Sequence, residues 1–181
     1  MATLEGLARR VVLTGSESTG KTTLTADLAR HYDAVWVPEY ARSYAAAKGT
    51  PLDASDVEPM AQAQIAAQDA ALLRAGRLLL LDTDLLSTAV YARHYYGQCP
   101  DWVTRAVLTR RADLYLLCDI DIPWAMDPQR DRPHKREQLQ GLFDEALRSR
   151  RFPVVRIRGS RRDRFHAARS AIDALLDSSS R

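Results

Sequence analysis

The sequence predicts an α/β fold in three layers, a parallel five-stranded sheet with helices on both faces, and three observations carry that expectation. Five short apolar runs have the length of buried strands. Segments with helical spacing separate them, which is the alternation expected of a parallel sheet covered on both sides. A Gly-Ser-Glu-Ser-Thr-Gly-Lys-Thr octet joins the first run to the first helical segment. In sheets of this kind ligands gather at the carboxyl ends of the strands, so function is sought in the polar residues that follow each run.

Along the chain, Arg10 to Thr14 reads as the first strand, and Leu24, Leu28, Ala29 and Tyr32 as the apolar face of a helix that starts inside the octet. "AVWVPEY", from Ala34 to Tyr40, is a second strand ended by Pro38, which has no N–H to give to a ladder. An irregular segment is expected from there to about Asp53. Ser55 to Glu58 fits a capping box, and a long helix behind it is closed by Gly76. "RLLLLDTD" is a buried strand ending in acids. Leu85 to Tyr96 and Asp101 to Arg111 read as helices separated by "GQCP", and "ADLYLLCD" as a further strand. Ile120 to Pro133 is rich in Pro, Asp and Arg and reads as a mobile loop, with a lid at about 120–136. A helix from about His134 to Arg150, the strand "FPVVRIRG" and a helix from Asp163 to Leu176 complete the pattern, before a frayed tail at about 177–181.

The 181 residues are enough for one domain with a sizeable core, and the expectation is a single domain over 1–181. A composition of 46% hydrophobic and 27% charged residues is that of an ordinary globular chain. The longest purely apolar run, Leu78 to Leu81, is far too short to span a membrane, and the N-terminus lacks a signal-peptide stretch, so a cytoplasmic protein without membrane partners is expected. Cys99 and Cys118 have no metal-ligand spacing and are expected as free thiols. A net charge of +3 does not by itself select a partner, and no basic stripe marks a nucleic-acid binder.

The octet Gly15, Ser16, Glu17, Ser18, Thr19, Gly20, Lys21, Thr22 matches G-x-x-x-x-G-K-[ST], and a chance match in a chain of this length has a probability of roughly one per cent. Between a strand and a helix, with Thr23 continuing it, such a loop points backbone N–H groups inward, and Gly20 permits close approach of a phosphate. Lys21 then bridges the outer phosphates and Thr22 offers a hydroxyl to Mg²⁺. Lys21 is one of three lysines in a Lys+Arg total of 26, so its place in this loop is not a matter of basic composition. The three-layer sheet is therefore expected to be a P-loop NTPase or kinase fold taking ATP and Mg²⁺. GTP is disfavoured, since no Asn-Lys-x-Asp guanine signature occurs.

At the other strand ends, Asp82 and Asp84 are placed to hold a magnesium-bound water or to accept a proton from an attacking hydroxyl, the alternative being caps for the next helix. Glu39, Tyr40 and Arg42 follow the second strand, beside the octet if the two strands are neighbours; a surface Glu–Arg salt bridge is the alternative. Trp36, Tyr44 and Trp124 are candidates for a flat-ring pocket, with core packing the alternative. Arg130, Arg132 and Arg136 lie where a mobile loop would bring them over a phosphoryl group. The basic cluster from Arg156 to Arg164 reads as mainly surface, its Gly159-Ser160 turn touching the adenine.

Taken together, "GSESTGKTTL", "PEYAR", "DTD" and "PWAMDPQR" at these spacings resemble the ribosylnicotinamide kinase domain of NadR-type proteins, within the P-loop nucleoside kinase-like group. The resemblance covers nearly the whole chain, and an AAA-type ATPase family assignment is expected with it. It implies ATP-dependent phosphorylation of the 5′-hydroxyl of nicotinamide riboside to the mononucleotide. Lys21, Asp82, Asp84 and Arg130 are then the catalytic candidates, Thr22 and Asp82 the Mg²⁺ ligands, and Glu39, Tyr40, Arg42, Asp84, Trp124 and Asp127 the acceptor contacts. Where the family usually carries Asp-Gly in the lid, this chain has Asp127-Pro128. The first strand begins at Arg10, so the DNA-binding and adenylyltransferase parts of full NadR proteins are not expected. Two other classes stay open: a kinase for another small hydroxyl acceptor or a polynucleotide 5′ end, and a nucleotide-gated binding module.

Overall fold

The structure is a computed structural model that describes residues 8–123 and 135–178. The chain runs β1 (Arg9–Thr14), α1 (Lys21–Tyr32), β2 (Val35–Val37), α2 (Tyr40–Lys48), a 3₁₀ turn (Ala54–Asp56), α3 (Val57–Leu72), β3 (Leu78–Asp82), α4 (Leu85–Tyr96), α5 (Asp101–Thr109), β4 (Leu114–Cys118), α6 (Arg136–Ser149), β5 (Val154–Ile157) and α7 (Arg161–Asp177). The five strands form one parallel sheet in the order β2-β3-β1-β4-β5.

Strand alternation divides the core into two layers. Val12 of β1, Leu79 and Leu81 of β3, and Tyr115 and Leu117 of β4 face α3, α4, α5 and α6, where they meet Ala61, Leu86, Val103 and Phe143. Val11 and Leu13, Leu78 and Leu80, and Leu114 and Leu116 point the other way, onto Leu24 and Leu28 of α1 and Ala168 and Ile172 of α7. Both faces being covered, β3 and β4 are apolar at nearly every position, which is why they read as unbroken runs. Each fully buried Leu or Phe on these faces stabilises the fold by about 1.5 to 3 kcal/mol relative to an exposed one.

Some expectations differ in detail. The segment after Pro38 is not irregular, because Tyr40–Lys48 forms α2 and ends at Gly49 with φ +68°. None of its residues is fully buried, and its half-buried face is only Tyr40, Ala41, Tyr44, Ala45 and Lys48, a stripe too short and too weakly apolar to stand out in the sequence. The capping box lies two residues earlier than Ser55 to Glu58: the Asp53 carboxylate accepts from the Ser55 N–H, and the Asp56 carboxylate from the Asp53 N–H. The helix behind it stops at Leu72, short of Gly76. The last helix starts at Arg161, where Ser160 and Asp163 cap it reciprocally. β2 is separated from β1 by β3, so Glu39 and Arg42 stand one strand further from the Gly-rich octet than neighbouring strands would put them.

Among the described residues no helix is long and apolar enough to cross a membrane. Cys99 and Cys118 are both free thiols, and Cys118 is buried.

Candidate active site

β1 delivers its chain end to the middle of the sheet, and the octet wraps from there into α1. Gly15 has φ +124°, and a Cβ on it would stand 2.6 Å from the Cys118 carbonyl oxygen of the neighbouring strand, so the backbone passes too close for a side chain. Gly20 has φ +77° and Ser18 φ +53°, the left-handed residues that curl the loop into a concave row of amides. The Thr19 hydroxyl donates to the Ser16 carbonyl at 2.8 Å. Lys21, only 9% exposed, lays its ammonium along the loop and donates to the carbonyls of Gly15 at 3.0 Å and Ser16 at 2.7 Å.

Parallel pairing sets Asp82 opposite Leu13, which carries its carboxylate to the foot of the loop. There the Thr22 hydroxyl donates to Asp82 Oδ2 at 2.6 Å. Burial raises the Asp82 pKa, opposed by the Thr22 hydrogen bond and the Lys21 charge. The second oxygen, Oδ1, is buried and has no hydrogen-bond partner among the described residues. A hydroxyl beside a half-satisfied carboxylate is the hard oxygen chemistry that Mg²⁺ takes when phosphate and water complete its shell. Among the described residues no cluster of three or more His, Cys, Asp or Glu side chains could hold a metal alone. The Thr22 and Asp82 oxygens therefore fit a Mg²⁺ that arrives with a nucleotide.

The Asp-Thr-Asp turn separates its two acids. Thr83, at φ +71°, faces the cavity, whereas Asp84 turns inward as the N-cap of α4. Its carboxylate accepts from the Leu86 N–H and from the Tyr115 hydroxyl, each at 3.0 Å. Burial lifts its pKa to about 6 against those bonds. Asp84 is thus placed in the helix cap, away from the acceptor position read from sequence. The local reason is that the α4 N-terminus needs an acceptor for its unpaired amides.

The loop opens into a cavity of about 1180 Å³ that runs from Glu17–Thr23 to a wall built by α2, α3 and α4. Glu39, Tyr40 and Arg42 line it, so the second strand's polar followers do reach the same cavity across β3. Glu39 and Arg42 approach to 3.8 Å, and the Tyr40 N–H donates to Gln64 at 3.1 Å. Tyr91, Tyr95 and Tyr96 complete the wall, the first two with rings parallel within 6° at 6.0 Å, and Lys135 Nζ lies 5.5 Å from the Tyr95 ring. The tyrosines escaped the sequence reading, although the four-residue step from Tyr91 to Tyr95 puts them on one helix face. Tyr44 is tied to Asp56 at 2.9 Å, and Trp36 packs against the α1 and α7 layer, so neither is an evident ring contact.

Two basic expectations change. Arg136 begins α6 as a buried side chain whose guanidinium donates to the carbonyls of Ser18 and Ile122, both at 2.9 Å. It is fastened beneath the octet rather than held out over it. Within the cluster from Arg156 to Arg164, Arg158 and Arg161 are 65% and 72% exposed, as a surface cluster should be, but the Arg164 side chain is 6% exposed. Composition cannot separate one buried arginine from its exposed neighbours. Trp124, Asp127, Arg130 and Arg132 lie outside the described residues.

Known proteins agree with this architecture. The chain is 28% identical over 155 residues to the trifunctional NAD biosynthesis/regulator protein NadR of Escherichia coli K12, covering 82% of this chain and 38% of that one. It therefore spans well under half the length of that relative. Two crystal structures of NadR proteins match it: one in complex with NR (TM-score 0.76, 26% identity, 94% of this chain and 52% of that one), the other with NAD and AMP-PNP (0.81, 27%, 94% and 50%). Thymidylate kinase from Ehrlichia chaffeensis shares the fold at a TM-score of 0.68 and 14% identity, over 93% of this chain and 98% of that one. The architecture is that of the P-loop kinases. The family model of AAA_28, described as an AAA domain, matches residues 10–164, and the chain belongs to that family.

Proposed function

We propose that this protein is an ATP- and Mg²⁺-dependent kinase that phosphorylates the 5′-hydroxyl of nicotinamide riboside to give nicotinamide mononucleotide, acting on small molecules in the cytoplasm. The observation that carries the reading is one continuous cavity with the Gly-rich phosphate loop at one end and Glu39, Arg42 and three tyrosines at the other. Similarity to NadR proteins, one of them in complex with NR, supports the choice of acceptor.

In this reading the loop amides and the start of α1 hold the nucleotide's phosphates, and Lys21 turns from its carbonyl partners to the outer ones. Thr22 and Asp82 would hold the Mg²⁺, which would supply positive charge to the transferring group when bound. Of the acids lining the cavity among the described residues, Glu17 belongs to the phosphate loop and Glu39 stands at the other end, with Asp84 committed to its cap and Asp82 bonded to Thr22, so Glu39 orients the acceptor hydroxyl. The pyridinium ring of the riboside is a cation, and a tyrosine wall beside a carboxylate favours it through ring faces and charge. Arg130, Trp124 and Asp127 belong to the same proposal as contacts of the transferring group and the acceptor.

The test is ATP consumption across nicotinamide riboside, common nucleosides and a 5′-hydroxyl oligonucleotide. Consumption stimulated by the riboside and accompanied by the mononucleotide is the expected result. Stimulation by another acceptor and not by the riboside would overturn the substrate, and no stimulation by any acceptor would overturn the kinase.

A further inference from the structure

A phosphate loop works only if its peptide planes are turned so that N–H groups face inward. Because each peptide is planar, the carbonyls then face outward into the protein and need donors there. Lys21 serves the Gly15 and Ser16 carbonyls, and for Ser18 and Thr19 the donors come from α6 and α7. Arg136 gives its Nη2 to the Ser18 carbonyl and Arg164 its Nη1 to the Thr19 carbonyl, both at 2.9 Å. Gln140, one helical turn after Arg136, accepts from the Ser16 N–H at 3.0 Å and donates to the Cys118 carbonyl at 3.1 Å. The Ser16 amide is thereby withdrawn from the inward row, and the loop's first turn is pinned to β4.

Arg164 does more than hold one carbonyl. Its Nε donates to Gly159 at 2.9 Å, its Nη2 to Asp119 at 3.0 Å, and it pairs with the Asp121 carboxylate. One planar fork thus joins the phosphate loop, the chain leaving β4 and the turn between β5 and α7. A lysine, with its single ammonium, cannot span three carbonyls lying in different directions. The bonding partners of Arg136 are both backbone carbonyls, so its buried positive charge adds to the potential behind the loop.

We propose that Arg164, Arg136 and Gln140 are positioning residues for the phosphoryl donor: they set the loop's inward amides, and Arg164 also sets the distance from that loop to the β5–α7 turn. The inference rests on the reading of the octet as a nucleoside triphosphate site, and it is independent of which acceptor is used.

The experiment measures the calorimetric affinity of the full chain for Mg-ATP and for Mg-tripolyphosphate, which has the phosphates without the base. Wild type is compared with Arg164→Lys and Gln140→Met. Arg164→Lys is expected to weaken Mg-ATP about tenfold, as loss of charge-assisted bonds does, and to weaken tripolyphosphate less, because the turn is displaced as well. Gln140→Met is expected to weaken both ligands by the same factor. In turnover the KM for ATP should rise while the KM for the acceptor stays put, a split that a general loss of stability would not produce. Binding of Mg-ATP by both variants within about twofold of wild type, where a buried bond would have shown itself, would overturn the positioning role. Should Arg164→Lys fail to fold, Gln140→Met decides by the same criterion. A wild-type chain that binds neither ligand would overturn the triphosphate site and the positioning role together, whereas nucleotide binding without any acceptor turnover would overturn the kinase alone.

Discussion

The two ends of the cavity are built on opposite principles. At the phosphate loop, Lys21, Asp82, Arg136, Gln140 and Arg164 are all buried, and side chains from four elements fix the backbone carbonyls and amides. At the acceptor wall, α2 buries none of its residues, and Glu39 and Arg42 approach no closer than 3.8 Å. Rigid preorganisation suits a ligand whose triphosphate never varies, and it removes reorganisation cost from the charge-stabilising step. A half-exposed wall of tyrosines and one short helix can change its residues without disturbing the core. On the proposed reading, the part of the protein that selects the acceptor is therefore the part least bound to the fold.

The strongest way to break this contrast is Lys21→Met, which takes the only ammonium from the loop. Turnover should fall about a thousandfold, a loss typical of removing a group that stabilises transition-state charge. A melting temperature close to wild type in a thermal scan would locate that loss in chemistry.

Asp84 tests the boundary between the two ends. Its folded pKa, about 6, lies above the ordinary 3.8, so the folded state holds the proton more tightly than the unfolded chain. Stability from this group is consequently present at low pH and declines as pH rises from about 4 to about 6, by about 3 kcal/mol or less. Asp84→Asn should remove that decline. Denaturant unfolding of both proteins at pH 4, 5, 6 and 7 reads it as a difference that grows in the variant's favour with pH. A difference independent of pH would show that the carboxylate does not titrate in its cap.

At the acceptor end, Glu39→Gln should lower kcat about a hundredfold, the scale of a lost general base, with Mg-ATP affinity kept. Steady-state kinetics with the riboside, paired with a nucleotide titration, separates the two. The smallest effect is expected for Tyr91→Ala. It should raise the acceptor KM about fivefold, the worth of one aromatic contact, and leave the ATP KM where it was. A rise in both constants would mean that the two ends are not energetically separate.

The loop was legible because its chemistry leaves a signature in adjacent residues: Gly15, Gly20, Lys21 and Thr22 act through their own backbone and first atoms. The central strands were legible for a related reason, since burial on both faces demands unbroken apolar runs such as Leu78 to Leu81. α2 stayed hidden because its face is only half-buried and barely two turns long, which leaves a weak apolar stripe at Tyr40, Ala41, Tyr44 and Ala45. Asp82 and Asp84 look equivalent in "DTD", and only the sharp turn at Thr83 sends one to the loop and the other into the α4 cap.

By itself, then, the sequence determined the layered α/β class, the phosphate loop and the set of strand ends where ligands gather, all of which depend on short-range pattern. Tertiary structure alone decided that β3 stands between β1 and β2, that Glu39 still shares a cavity with the loop, and that Arg164 is buried while Arg158 and Arg161 are not. These are outcomes of strand order and helix docking, set by contacts between residues as far apart as Thr19 and Arg164, and no local run of residues encodes which distant carbonyl an arginine will reach.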